Sequence, residues 1–243
     1  MTRRRFIADE FSSHRAALAG DHADHLIRVL RARPGQQFEI SAGGVIRMGT
    51  ITSIDGHRVE FELGEDVPAR SALPIVLALA IFKFDRMEWA IEKCTELGVA
   101  EIVPFIARRT DAHLASASLK RVERWRRVAR EASQQARRAS PPEIRSPIKV
   151  KDVVGIGGST RILLSEVETE LALKNAVQAQ AKPVVLAIGP EGGWTEDELS
   201  QFQAKGWISV SLGNTILRAE TAAIAATAVV AAVTEDCATD FHG

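Results

Sequence analysis

Two stretches of the chain carry residue types and spacings that can do chemistry. The first is Val184-Val185-Leu186-Ala187-Ile188-Gly189-Pro190-Glu191-Gly192-Gly193-Trp194-Thr195-Glu196-Asp197-Glu198, an apolar run that enters a glycine-rich turn. Glycines at such a junction let a ligand approach the backbone closely, and Thr195 with Glu198 three residues later forms a capping box for a following helix. The turn fits neither of the common phosphate-binding glycine motifs and has no lysine for a phosphate, so taken alone it reads first as a plain turn. The second stretch is Ser211-Leu212-Gly213-Asn214-Thr215-Ile216-Leu217-Arg218-Ala219-Glu220-Thr221-Ala222. Two strand-end loops at neighbouring positions of an α/β sheet make the usual ligand crevice. Arg218 and Glu220 stand where an apolar segment begins, which makes them either a structural ion pair or part of a site. Metal chemistry is not expected, because the only cysteines, Cys94 and Cys237, are far apart and form no CxxC pair.

The elements that must position these loops follow from periodicity. After residue 74, apolar runs alternate with helical patterns, the signature of an α/β sheet buried on both faces. Strands are expected over 75–82, 100–106, 161–165, 184–188 and 208–212. Between the first two, Asp85-Arg86-Met87-Glu88 resembles a capping box and Gly98 a helix stop, with Met87, Ala90, Ile91, Cys94 and Leu97 on one face. Cys94 is therefore core rather than a nucleophile. The helix expected over 221–233 is rich in Ala, Val and Ile on all sides and must be buried, either against a second subunit or as a central core helix.

The first 70 residues differ. Alternating runs at 37–41, 45–54 and 58–63 are separated by Gly43-Gly44 and Asp55-Gly56, which favour tight hairpin turns. A small antiparallel barrel or sheet with one helix over about 21–30 is expected, and Pro68 and Pro74 bracket an aperiodic linker. The chain is thus divided into a barrel over 1–70 and an α/β domain over 74–243.

Formal net charge is zero over 243 residues, yet it is segregated: 0 over 1–73, +6 over 74–150 and −6 over 151–243. The excess lies between Lys120 and Arg138, where Val122, Trp125, Ala129, Ala132 and Ala136 recur at helical spacing and arginines occupy the other faces until Pro141-Pro142. Such a patch is the footprint of phosphate-backbone binding, and equally that of a solvated helix face. Arg124, Arg127, Arg130, Arg137 and Arg138 are the candidate phosphate contacts. The basic N-terminus leads into no apolar signal core, and no apolar run of about 18 residues follows; secretion and membrane spanning are not expected, and a reducing cytoplasm fits the two cysteines.

Gly189-Pro190-Glu191-Gly192-Gly193, followed about twenty residues later by Leu212-Gly213-Asn214-Thr215-Ile216-Leu217-Arg218-Ala219-Glu220-Thr221-Ala222, resembles the RsmE family of 16S ribosomal RNA uridine-N3 methyltransferases. Lys83 with Arg86-Met87-Glu88, Glu92-Lys93-Cys94-Thr95-Glu96-Leu97-Gly98-Val99, Arg130-Glu131-Ala132 with Gln134-Gln135 and Arg138, and Pro142 are similar to the family's middle motifs. His25 with Val29-Leu30-Arg31 and Gly35 is similar to its N-terminal domain. The resemblance covers nearly the whole chain. It implies a PUA-like RNA-binding barrel, a C-terminal SPOUT methyltransferase domain with a trefoil knot, S-adenosylmethionine as donor, a homodimer, and 16S ribosomal RNA of the small subunit as partner. Lys83 and Arg86 join the RNA-binding candidates, while Gly189, Pro190, Glu191, Gly192, Gly193, Leu212, Gly213, Asn214, Ile216 and Leu217 become the donor-binding candidates. Two departures bear on RNA contacts: Gln135-Ala136-Arg137-Arg138 replaces the commoner Gln-Cys/Ser-Gly-Arg, and Arg108-Arg109-Thr110 replaces the usual Arg-Ser.

Methylating uridine N3 requires loss of an imide proton, so Arg218 is the expected stabiliser of the developing negative charge, with Glu220 orienting it or accepting a proton. Two other readings stay open on the residues alone: a nucleotide-binding enzyme using the 189–193 loop, and a non-catalytic ribosome-binding module using the barrel and the basic helix.

Overall fold

The computed structural model describes residues 4–69, 71–177 and 183–235. The chain separates into two units, one formed by 1–71 together with 133–140, the other by 72–132 and 141–243. Residues 133–140, expected with the α/β domain, thus cluster with the N-terminal segment.

In the first unit, β1 (Arg5–Ile7), β2 (Glu10–Phe11), β3 (Arg15–Ala19), β4 (Gln37–Ala42), β5 (Val45–Asp55) and β6 (Arg58–Asp66) form a sheet of order β1-β4-β5-β6-β3-β2. Gly43 and Gly44 both have positive φ, 61° and 84°, as a two-residue primed hairpin requires. Among the described residues β1 and β2 do not pair. The sheet is therefore an open, PUA-like half-barrel, within the expectation of a small barrel or sheet. Its alternate residues Ile40, Ile51, Val59, Phe61 and Leu63 bury one face against Leu18, Ala23 and Leu26. The helix expected over 21–30 is one α-turn, α1 (Asp21–Asp24), that widens into a π-turn at His25–Val29.

The second unit begins with β7 (Leu73–Ala80), α2 (Phe84–Glu96), β8 (Val99–Ile106), α3 (Ala112–Ala117) and α4 (Val122–Gln135). It continues through β9 (Glu143–Ile144), β10 (Ile148–Lys149), α5 (Val150–Val153), β11 (Thr160–Leu164), α6 (Leu173–Ala176) and β12 (Val184–Ile188) to α7 (Glu196–Ala204), β13 (Ile208–Val210) and α8 (Ala219–Glu235). The parallel sheet has the order β10-β8-β7-β12-β11-β13, with β9 beside β8. Alternation along the strands sends Ile75, Leu77, Leu79, Val184, Leu186 and Ile188 into a core shared with α2, α4 and α8. Ala78, Ala80, Val185 and Ala187 face the opposite core, which contains Phe105, Trp194, Phe202 and Trp207. Burial on both faces explains why these strands read as unbroken apolar runs. From the edge strand β13 the chain returns so that α8 packs on the two central strands β7 and β12 and on α2.

Two local expectations fail for identifiable reasons. The capping box at Asp85 is absent: α2 starts two residues earlier, behind an N-cap Lys83 that makes no side-chain cap, and Glu88 turns to Arg124 Nε at 3.2 Å. The basic helix stops at Gln135, not at Pro141. Arg137 takes φ 57°, the Arg138 N–H donates to the Ser133 carbonyl and the Arg137 N–H to that of Gln134, a Schellman stop with arginine where glycine is usual.

Candidate active site

At the carboxyl ends of β11, β12 and β13 lies a cavity of about 400 Å³. Its position is the one an open parallel sheet offers, beyond the strand ends where connections diverge. Trp194 builds its floor. The indole stacks on Phe105 at 5.9 Å between ring centroids and donates from Nε1 to the Leu164 carbonyl at 2.7 Å, tying the 189–193 loop to the end of β11. Gly189 is required by that packing, because a Cβ there would lie 2.9 Å from the indole. The capping box of α7 forms as expected, with the Glu198 N–H donating to Thr195 Oγ1 and the Thr195 N–H to Glu198 Oε2. Glu198 also accepts from the Arg108 N–H at 2.8 Å, which fixes the loop after β8 beside the glycine turn.

Gly189, Pro190, Glu191, Gly193, Leu212, Gly213, Asn214, Ile216 and Leu217 all line the cavity. Gly192 does not: a Cβ there would point to Arg109 at 3.3 Å, and the Arg109 Nη1 donates to the Gly192 carbonyl at 2.8 Å. Gly193 faces inward with φ 71°, and a Cβ on it would sit 2.5 Å from Glu166 Oε1. Sequence reasoning missed the end of β11, where Ser165 and Glu166 join the wall. The signal was available, since this is a third strand end beside the two that were read.

Arg218 lies at the cavity edge, exposed, and among the described residues no carboxylate pairs with it. Its expected partner Glu220 is elsewhere: only 3% exposed in the first turn of α8, it has Oε1 3.8 Å from the Nε of Arg86. Arg86, expected among the RNA contacts, forms part of the cavity wall and also donates from Nη1 to Glu191 Oε1 at 2.5 Å. Apolar side chains including Leu164, Ile188 and Val210 share the rest of the wall with polar ones, among them Ser165, Glu166 and Asn214. A flat aromatic base with a polar tail fits this mixture, and the carboxylates Glu166 and Glu191 favour a cationic ligand over a polyphosphate.

Of the basic candidates in this unit, Lys83 and Arg127 are exposed, Arg124 is tied to Glu88, and Arg130 is half-buried with contacts of its own. Arg137 and Arg138 belong to the other unit. There Arg137 is exposed, while burial pushes Arg138 down to about 10, leaving it charged at neutral pH. Cys94 is buried in the core as expected; burial pushes its thiol up to about 12, against a hydrogen bond from Thr227. Among the described residues no His, Cys, Asp and Glu cluster could hold a metal, and no helix is long and apolar enough to cross a membrane.

Residues 69–231 match the RNA methyltransferase domain family, and residues 18–64 match the RNA methyltransferase PUA domain family. The chain is 36% identical over 87% of its length, and 71% of the relative's, to the ribosomal RNA small subunit methyltransferase E of Synechocystis. Its fold is similar to that of a ribosomal RNA small subunit methyltransferase E from Neisseria gonorrhoeae, solved bound to S-adenosyl methionine. That likeness has a TM-score of 0.85 at 30% identity, over 96% of this chain and 98% of the other. A Legionella pneumophila structure with the cofactor SAM bound is similar to the same degree, with a TM-score of 0.85 at 28% identity over 96% of this chain and 98% of the other.

Proposed function

Given that the chain belongs to the ribosomal RNA small subunit methyltransferase E family, we propose that it methylates 16S ribosomal RNA at N3 of one uridine, with S-adenosylmethionine as donor. The observation that carries this reading is the cavity wrapped by loops 189–193 and 212–217, with Arg218 at its edge paired with no carboxylate among the described residues. Bound there, S-adenosylmethionine supplies an activated methyl group on a sulfonium centre. The loop backbones with Leu164, Ile188 and Val210 would hold it, and the carboxylates of Glu166 and Glu191 would suit its positive charge.

Arg218 does the chemical work assigned to this chain. Uracil N3 becomes nucleophilic as its imide proton passes to solvent water, and the negative charge spreads over the two flanking carbonyl oxygens. A fixed guanidinium at the cavity edge stabilises that charge more in the transition state than in the ground state. Glu220, buried and turned to Arg86, is an orienting group in this scheme rather than the proton acceptor. N3 lies on the Watson–Crick edge, so the uridine is presented unstacked.

RNA is held by α4 through Arg124 and Arg127 with Lys83 on α2, and by the half-barrel unit with Arg137 and Arg138. The half-barrel over 1–70 serves RNA recognition, and the parallel-sheet domain over 74–243 serves catalysis. A homodimer forms on the outward face of α8, where Ile224, Ala225, Ala228, Val229 and Val233 are apolar yet only half-buried within one chain. The reaction belongs in the cytoplasm, where ribosomes are assembled. Methyl transfer from labelled donor to 16S RNA, free and in small subunits, tests the proposal, with the modified nucleoside identified by mass spectrometry. Transfer with 3-methyluridine as product supports it, and no transfer to either substrate overturns it. Calorimetry with S-adenosylmethionine and with ATP separates it from a nucleotide-binding enzyme.

A further inference from the structure

Three side chains distant in sequence meet at the cavity mouth: Arg86 from the first turn of α2, Glu191 from the glycine loop and Glu220 from the first turn of α8. Glu220 is almost fully buried, and among the described residues its Oε2 has no hydrogen-bond partner. A carboxylate so buried is costly unless a nearby cation and a helix N-terminus offset its desolvation. Arg86 supplies the cation, and α8 supplies the terminus. The guanidinium itself is partly exposed and spends its shorter contact on Glu191, 105 residues away, on the loop that forms one wall of the cavity.

We propose that Arg86 is a positioning residue that latches the 189–193 loop over the donor, with the buried Glu220 as its anchor. The latch rests on the donor-site reading above. It works because the two contacts differ. Glu220 is immobile in the core, so it fixes where the guanidinium stands; Glu191 is exposed on the glycine loop, so of the two carboxylates it is the one whose contact can open without disturbing the core. One cation serving two carboxylates also leaves an excess negative charge at the mouth, which suits a donor carrying a sulfonium and an ammonium.

A double-mutant cycle with Arg86→Met and Glu191→Gln, both at partly exposed positions, tests the latch; because Arg86→Met also strips the buried Glu220 of its cation, melting temperatures are measured alongside, and Glu191→Gln, which leaves the Arg86–Glu220 contact in place, keeps the test valid should Arg86→Met unfold. Donor release is followed by stopped flow, together with the donor KM and kcat. Each single variant should release donor about two- to fivefold faster, the range for a partly exposed ion pair, and should raise KM more than it lowers kcat. The double variant should be no worse than either single one, and Arg86→Lys should recover part of the loss. Additive effects, or donor release as slow as in the wild type, would overturn the latch. If the wild-type protein itself binds no S-adenosylmethionine, the donor-site reading falls instead, so the two failures are distinguishable.

Discussion

Replacing Arg137 by glycine should make the protein more stable and a weaker RNA binder at once. Arg137 is the left-handed residue of the Schellman stop that ends α4, at φ 57°. For a residue with a Cβ that conformation costs about 1–2 kcal/mol. Glycine relieves this, but returns about 0.5–1 kcal/mol through the greater freedom of its unfolded chain. The net gain is therefore about 0.5–1 kcal/mol, or a melting temperature higher by about 1–4 °C for a protein of this size. The backbone contacts survive, because the Arg137 carbonyl that accepts from Arg5 and the N–H that donates to Gln134 are unchanged. Loss of one phosphate contact should meanwhile shrink the slope of log affinity against log salt by about 0.7–0.9. Arg137→Ala is the control: it loses the same charge and keeps the backbone strain, so it should show the smaller slope without the thermal gain. Scanning calorimetry and filter binding across a salt series measure both. A glycine variant that melts no higher than the alanine variant would refute the strain argument, and an unchanged slope would remove Arg137 from the RNA contacts.

Arg218→Ala should lower single-turnover methyl transfer by about 100- to 1000-fold while shifting stability by no more than about 0.5 kcal/mol, since the residue is exposed; near-normal transfer would remove it from catalysis. Ala225→Glu, on the half-exposed face of α8, should give a folded monomer in sedimentation velocity, whereas Ala226→Glu buries an unpaired charge and should prevent folding; a wild type that sediments as a monomer at micromolar concentration would refute the dimer. With the Cys94 thiol pushed up to about 12 by burial and an ordinary value of 9.0, the unfolded chain loses its proton first as pH rises. Stability should therefore fall between pH 9 and 12 by up to about 1.4 kcal/mol per unit more than in Cys94→Ala, as read from denaturant midpoints.

Strands β4 to β8 and β11 to β13, the hairpin turns and both cavity loops were legible because each rests on a local rule: alternation or an apolar run, turn glycines, a capping box; the short strands β1, β2, β3, β9 and β10 carry no such pattern. Helix α8 was only half legible. Its apolar character on every side predicted burial, but composition does not tell which side meets its own sheet, and Ala226 proved to face inward. Gly192 likewise reads as part of a glycine turn, yet only the approach of Arg109 from the loop after β8 shows that its open side faces away from the cavity.

The pairing of Arg218 with Glu220 failed for a reason that a helix itself supplies. Residues two apart at a helix start project to nearly opposite sides, whereas those three or four apart are neighbours. With α8 beginning at Ala219, a Glu220 turned into the core obliges Arg218 to point outward. That rule was available before any coordinates; the identity of the replacement partner was not, because Arg86 lies 134 residues away and reaches Glu220 only through the packing of α2 on α8. The consequence is chemical. A carboxylate beside Arg218 would neutralise part of the field that a developing uracil anion needs, and turning Glu220 inward leaves Arg218 with its full charge at the cavity edge while giving Arg86 a fixed place at the mouth.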